Sequence, residues 1–143
     1  MKILVLNGPN INLLGLREPE LYGSRTYPDL VAYCEKTAAE LGATADVRQT
    51  NHEGTLVDWI QEARGVFDAI VLNAAAYTHT SAAFLDALKD TKMRTVAVHL
   101  TEPKVREDFR RVSYVGMVAE TCFSGLGFES YGEAIRYLVG KKA

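Results

Sequence analysis

Asn7, Asn10, Asn12, Arg17 and Tyr22 follow directly on a short apolar run, Ile3 to Leu6. His52, Asn73, His79, His99, Arg106 and Arg110 come in the same way just after later apolar runs, and the set holds all 3 histidines of the chain. These residue types suit proton transfer on a small polar molecule. Histidine titrates near neutrality and serves as an acid there. A free tyrosine has a pKa near 10, so a tyrosine base at pH 7 needs a shift of about 3 units, roughly 4 kcal/mol. One or two guanidiniums in a partly dry site can supply that, because arginine stays charged where lysine can neutralise. Arg17 lies upstream of Tyr22 in a loop bracketed by Gly15 and Gly23. Tyr22 thus reads as a base and His99 as its opposite number. Each also has a plainer reading: Tyr22 as a loop aromatic packed over a sheet edge, His99 as a core histidine satisfied by a backbone carbonyl. Polar residues gather wherever strands end.

Other chemistries find less support. Neither GxxxxGK[ST] nor GxGxxG occurs, so the usual phosphate cradles are missing. No GxSxG elbow is present for a serine hydrolase. A receiver-type phosphorylation site would want an acidic pair after the first strand, where the chain has asparagines. Metal binding by His52, His79 and His99 is conceivable, but no two of them have the i, i+4 spacing.

The elements that must position these groups follow from hydrophobic period. Ile3–Leu6, Ala45–Val47, Ala69–Leu72, Val96–Leu100 and Met117–Cys122 read as strands, and continuous runs such as Ala-Ile-Val-Leu suit strands covered on both faces. A helical stripe through Leu30, Cys34, Ala38 and Leu41 is opened by Thr26-x-x-Asp29 and closed by Gly42. Leu56, Val57, Ile60 and Ala63 form a second stripe ending at Gly65, Thr80 caps a third helix through Leu88, and Ser130-x-x-Glu133 is a capping box for the last. Glu107 to Arg111 reads as a further short helix. The alternation predicts an α/β, doubly wound, flavodoxin-like sheet of five parallel strands in order 2-1-3-4-5. In such a sheet ligands sit outside the carboxyl ends of the strands, where the residues named above lie.

At 143 residues the chain reads as one domain, 1–143. A formal charge of −2 gives no reason to expect nucleic acid or an anionic membrane as partner. No run reaches the roughly 20 apolar residues of a membrane span, and the N-terminus is too short in apolar residues for a signal-peptide core. A cytoplasmic setting is expected, with Cys34 and Cys122 reduced.

The run Asn7-Gly8-Pro9-Asn10-Ile11-Asn12-x-Leu14-Gly15-x-Arg17-Glu18-Pro19-x-x-Tyr22-Gly23 resembles the signature of type II 3-dehydroquinate dehydratases. Asn51-His52-Glu53-Gly54, the stretch from Asn73 to Ser81, Val98-His99-Leu100, Arg106-Glu107-x-Phe109-Arg110 and Ser113-Tyr114 extend the likeness in order along nearly the whole chain. The resemblance implies flavodoxin-like subunits in trimers, commonly four to a dodecamer, with no cofactor and no metal. It implies trans-dehydration of 3-dehydroquinate to 3-dehydroshikimate through an enolate, in the shikimate pathway or in quinate breakdown. Tyr22, as tyrosinate, would remove the proton α to the ketone, and Arg17 would keep it ionised. Asn10 would hold a water on the enolate oxygen, and His99 would protonate the departing hydroxyl. Asn73 and the backbone at Leu100 and Thr101 would take the substrate carboxylate. His79, Asp86 and Arg110 would bind ring hydroxyls, Asp86 reaching in from a neighbouring subunit. Leu16 to Arg25 would be a lid.

Three positions depart from that pattern. Ala97 stands where Glu usually precedes Val-His, Thr101-Glu102 where Ser-Asn is usual, and Leu85 where Arg usually precedes the aspartate. Residues two apart on a strand share a face, so the missing Glu is the group that would orient and charge-support His99. Glu102 could fold back to replace it, although alternation places it off the parity of His99. The departures keep two further hypotheses open: a paralogue acting on another polyhydroxy keto acid, and a non-catalytic binder of quinate-like ligands.

Overall fold

The computed structural model describes residues 1–16, 24–103 and 106–140. Five strands, β1 (Lys2–Asn7), β2 (Thr44–Gln49), β3 (Ala69–Asn73), β4 (Thr95–His99) and β5 (Thr121–Ser124), form one sheet in order β2-β1-β3-β4-β5. Every pairing is parallel, giving the expected flavodoxin-like topology. Helices α1 (Tyr27–Glu40) and α4 (Glu129–Gly140) cover one face; α2 (Glu53–Glu62) and α3 (Ala82–Thr91) cover the other.

The strand alternation explains both layers. Ile3, Val5, Val71, Val96 and Val98 pack with Leu30, Cys34, Tyr131 and Ile135. The intervening Leu4, Leu6, Ile70, Leu72 and Ala97 pack with Leu56, Ile60, Phe84 and Leu88. β1 and β3 are apolar and buried almost throughout because they are central and covered twice.

The caps agree in part. The Thr26 hydroxyl accepts from the Asp29 N–H, and the Asp29 carboxylate accepts from the Thr26 N–H, so the first box is real. Helix α3 is capped by Ser81 rather than Thr80: Ser81 Oγ accepts from the Phe84 N–H at 3.2 Å. The 3₁₀ turn Ala75–His79 uses up the chain before it. Helix α4 begins at Glu129, which places Ser130 inside it, and the Ser130 hydroxyl accepts from the Leu126 N–H instead of forming a box with Glu133.

The last strand also moves. β5 is Thr121–Ser124, not Met117–Cys122, because Val115–Met117 forms a 3₁₀ turn that buries Val115 and leaves Met117 exposed. Strand β4 ends at His99, one residue earlier than expected. Asp108–Arg111 is a single 3₁₀ turn, and the described residues between β4 and β5 carry no α-helix.

Candidate active site

Asn7 and Asn73 end the two central strands and are direct partners across the sheet. Both are buried, and a buried amide needs hydrogen-bond partners. Tyr131, fully buried on α4, supplies them: its hydroxyl donates to Asn7 Oδ1 at 2.6 Å and accepts from Asn73 Nδ2 at 2.7 Å. Asn73 Oδ1 accepts from the Ala75 N–H, and Asn7 Nδ2 donates to the Arg48 carbonyl. Burial raises the Tyr131 phenol well above its ordinary range, so it remains a neutral donor.

The chain then turns across the strand ends. Gly8 donates its N–H to the Asn73 carbonyl at 2.8 Å. A Cβ at Gly8 would lie 2.5 Å from the Ala74 carbonyl oxygen, so glycine alone permits this approach. Asn10 follows in the left-handed region (φ 71°), which asparagine tolerates, and its N–H donates to Asn51 Oδ1 at 3.0 Å. Gln49 Nε2 lies within 3.3 Å of the Gly8 carbonyl, Asn12 Oδ1 and Asn51 Oδ1, tying β2 to this turn.

A polar cleft of about 110 Å³ opens between this turn and the end of β4. Asn10, Asn73, His79, His99, Leu100, Thr101, Arg106 and Arg110 line it. A second hollow of about 340 Å³ adjoins it through His79, His99 and Arg110, and adds Glu102, Cys122 and Ser124. The sheet edge therefore brings together seven of the expected site residues: Asn10, Asn73, His79, His99, Leu100, Thr101 and Arg110. Asp86 is exposed on α3 and lines neither hollow, and His52, expected at this edge, is the exposed N-cap of α2. Arg17 and Tyr22, with most of the expected lid, lie outside the described residues. Among the described residues no group of three or more His, Cys, Asp or Glu is arranged to hold a metal ion.

Orientation within the cleft is specific. His79 Nδ1 donates to the Val112 carbonyl at 2.6 Å, which fixes its tautomer and leaves Nε2 as the acceptor in the neutral ring. Arg110 Nε donates to Glu107 Oε2 at 2.5 Å while the guanidinium lies over the Phe109 ring. Glu102 does not follow strand alternation, because the chain leaves the strand at His99: it turns over β5, where Ser124 Oγ donates to its Oε2 at 2.5 Å. Two positioning residues escape a reading of the sequence, Tyr131 and Gln49. The signal for Tyr131 is general, since a buried tyrosine hydroxyl must find a partner.

His99 is held down to about 4 by burial and by the neighbouring His79, with Glu102 opposing them. It is therefore neutral at pH 7 in this chain. The sign for stability follows: below the ordinary value of about 6.5 the unfolded chain takes up a proton that folded His99 refuses. Stability is expected to fall as pH drops from about 6.5 to about 4, by on the order of 2–3 kcal/mol from this group. Urea unfolding across that range, compared with His99→Gln, isolates it; equal slopes in the two proteins would disprove the assignment.

The geometry has close relatives. The family model for class II dehydroquinase matches residues 1–139. A 3-dehydroquinate dehydratase of Caulobacter sp. (strain K31) is 51% identical over 138 residues, covering 96% of this chain and 94% of its own. One from Streptomyces avermitilis is 52% identical over 134 residues, covering 93% of this chain and 84% of its own. The crystal structure of the type II dehydroquinase from Butyrivibrio crossotus superposes with a TM-score of 0.95 at 38% identity, covering 99% of this chain and 98% of that one. With matched sequence and matched fold over almost its full length, the chain belongs to the class II dehydroquinase family.

Proposed function

We propose that this chain is a 3-dehydroquinate dehydratase, a hydro-lyase that eliminates water from 3-dehydroquinate through an enolate to give 3-dehydroshikimate. The observation that carries the reading is the convergence of Asn10, Asn73, His79, His99 and Arg110 on one cleft at the carboxyl edge of the sheet, in a chain about half identical to proteins of that name.

Tyr22 is the base and Arg17 its electrostatic support; the shift required, about 3 units, is within reach of one close guanidinium in a partly dry site. Removal of the proton α to the ketone gives an enolate, and Asn10 sits at the cleft wall where a water it holds meets the enolate oxygen. His99 delivers a proton to the departing hydroxyl. Its neutral resting state does not forbid this: the bound carboxylate and the growing enolate bring negative charge that favours imidazolium, so His99 takes a proton from solvent as substrate binds and gives that proton to the leaving hydroxyl.

Asn73 and the backbone at Leu100 and Thr101 take the substrate carboxylate. The Asn73 Nδ2 group has a second hydrogen beyond the one given to Tyr131. His79 and Arg110 take ring hydroxyls, joined by Asp86 from a neighbouring subunit. The exposed position of Asp86 on α3 fits a residue that serves another copy. The protein would then act as one cytoplasmic catalytic domain, 1–143, assembled as trimers and dodecamers, in the shikimate pathway or in quinate breakdown.

The test is direct. Purified protein is mixed with 3-dehydroquinate and the ultraviolet absorbance of the conjugated enone is followed. Steady enone formation is expected; a well-folded protein that binds the substrate but forms no enone would sink the reading.

A further inference from the structure

The sheet provides His99 with no polar support from its own strand. Ala97 lies two residues back on the same face, is 2% exposed, and packs among Leu72, Phe84 and Val115. Support has to come from beside the strand. Ser124 is the register partner of His99 on β5, so the two side chains leave the same face of the sheet as neighbours. The Ser124 hydroxyl donates to Glu102, and the Glu102 Cβ lies 3.7 Å from where a Cβ at Gly125 would stand. The carboxylate is thus held over the end of β5, next to the histidine.

We infer that Glu102, anchored by Ser124, is the positioning residue for His99, performing from the β5 side what the methyl group of Ala97 cannot. The inference rests on the dehydratase reading for its kinetic meaning, though not for its geometry.

Charge favours the same conclusion. His79, Arg106, Arg110 and Arg111 line the two hollows, and His79 acts against a positive charge at His99; Cys122 also faces the larger hollow. Among the described residues that line either hollow, Glu102, in the larger one, is the one carboxylate. Its charge acts on His99 toward imidazolium, against burial and His79. Its tie to Ser124 also keeps a carboxylate that stands close to the substrate's own drawn toward β5.

Glu102→Gln keeps the size and the ability to accept from Ser124 while removing the charge. Two readouts are taken: the His99 ring titration by NMR in the ligand-free protein, assigned with His99→Gln, and kcat and KM against pH. The expected result is a His99 midpoint lowered by roughly half a unit or more and kcat lowered about 10- to 100-fold, the range found for groups that orient metal-bound histidines. KM should stay within about threefold, and the alkaline limb of kcat, which reports the acid His99, should move to lower pH. Ser124→Ala should shift both readouts the same way by less, and Ala97→Glu placed in the Glu102→Gln protein should recover at least part of kcat. An unchanged midpoint together with unchanged kcat would overturn the inference. A loss confined to KM would also overturn it, since Glu102 would then act on substrate. Absence of turnover in the parent protein, with the midpoint still responding to Glu102→Gln, would count against the dehydratase reading and for the coupling.

Discussion

Tyr22→Phe is expected to lower kcat by at least about 10³-fold while leaving substrate affinity within a few-fold. A positioned general base contributes about 10²- to 10⁴-fold, and phenylalanine removes the proton acceptor outright while keeping the ring. His99 is not expected to take over, because its proposed task is to give a proton to the leaving hydroxyl rather than to accept one from carbon. The loss should appear in kcat and kcat/KM alike, as for a group whose interaction is made in the transition state. Enone formation and calorimetric binding of substrate, measured on the same preparations, check it. Residual kcat within about tenfold of the parent would show that Tyr22 is the loop aromatic of the plainer reading.

The second large effect is on stability. Tyr131→Phe removes one oxygen and strands two buried groups, Asn7 Oδ1 and an Asn73 N–H. Each unsatisfied buried partner costs about 1–3 kcal/mol, so a loss of about 3 kcal/mol is expected, or ~10 °C in Tm for a domain of this size. Phenylalanine still fills the space, which separates this cost from that of a cavity. Asn73 loses its restraint at the cleft, so KM should rise as well. Thermal unfolding and steady-state kinetics on the same variant test both. A Tm within about 2 °C of the parent would mean that the three-residue network contributes little.

These two residues mark the limits of what the sequence discloses. Strands β1, β3 and β4 are readable because they are buried on both faces, which turns them into uninterrupted apolar runs. Strand β5 is an edge strand, half-exposed along its length, and its pattern is weaker than that of the turn before it, where Val115 is buried for reasons of tertiary packing. The asparagines and histidines of the cleft are readable because polar groups just beyond buried strands stand out. Tyr131 does not stand out: on an amphipathic helix it counts as one more core aromatic, and only the folded chain shows which amides its hydroxyl meets. Strand alternation misplaces Glu102, because the rule holds only while the strand lasts and β4 ends at His99.

The bond between Asn7 and Tyr131 spans 124 positions, and it gives the molecule a timetable. At synthesis rates of about 5–20 residues per second, the first strand waits on the order of ten seconds for the helix that completes its end. Until then every cleft residue named above already exists in the chain, yet the floor beneath them has two unmet polar groups. The site cannot be switched on piecemeal during translation; it arrives whole, when the last helix docks. A protease that removed that helix would silence the enzyme without touching a single residue of its cleft.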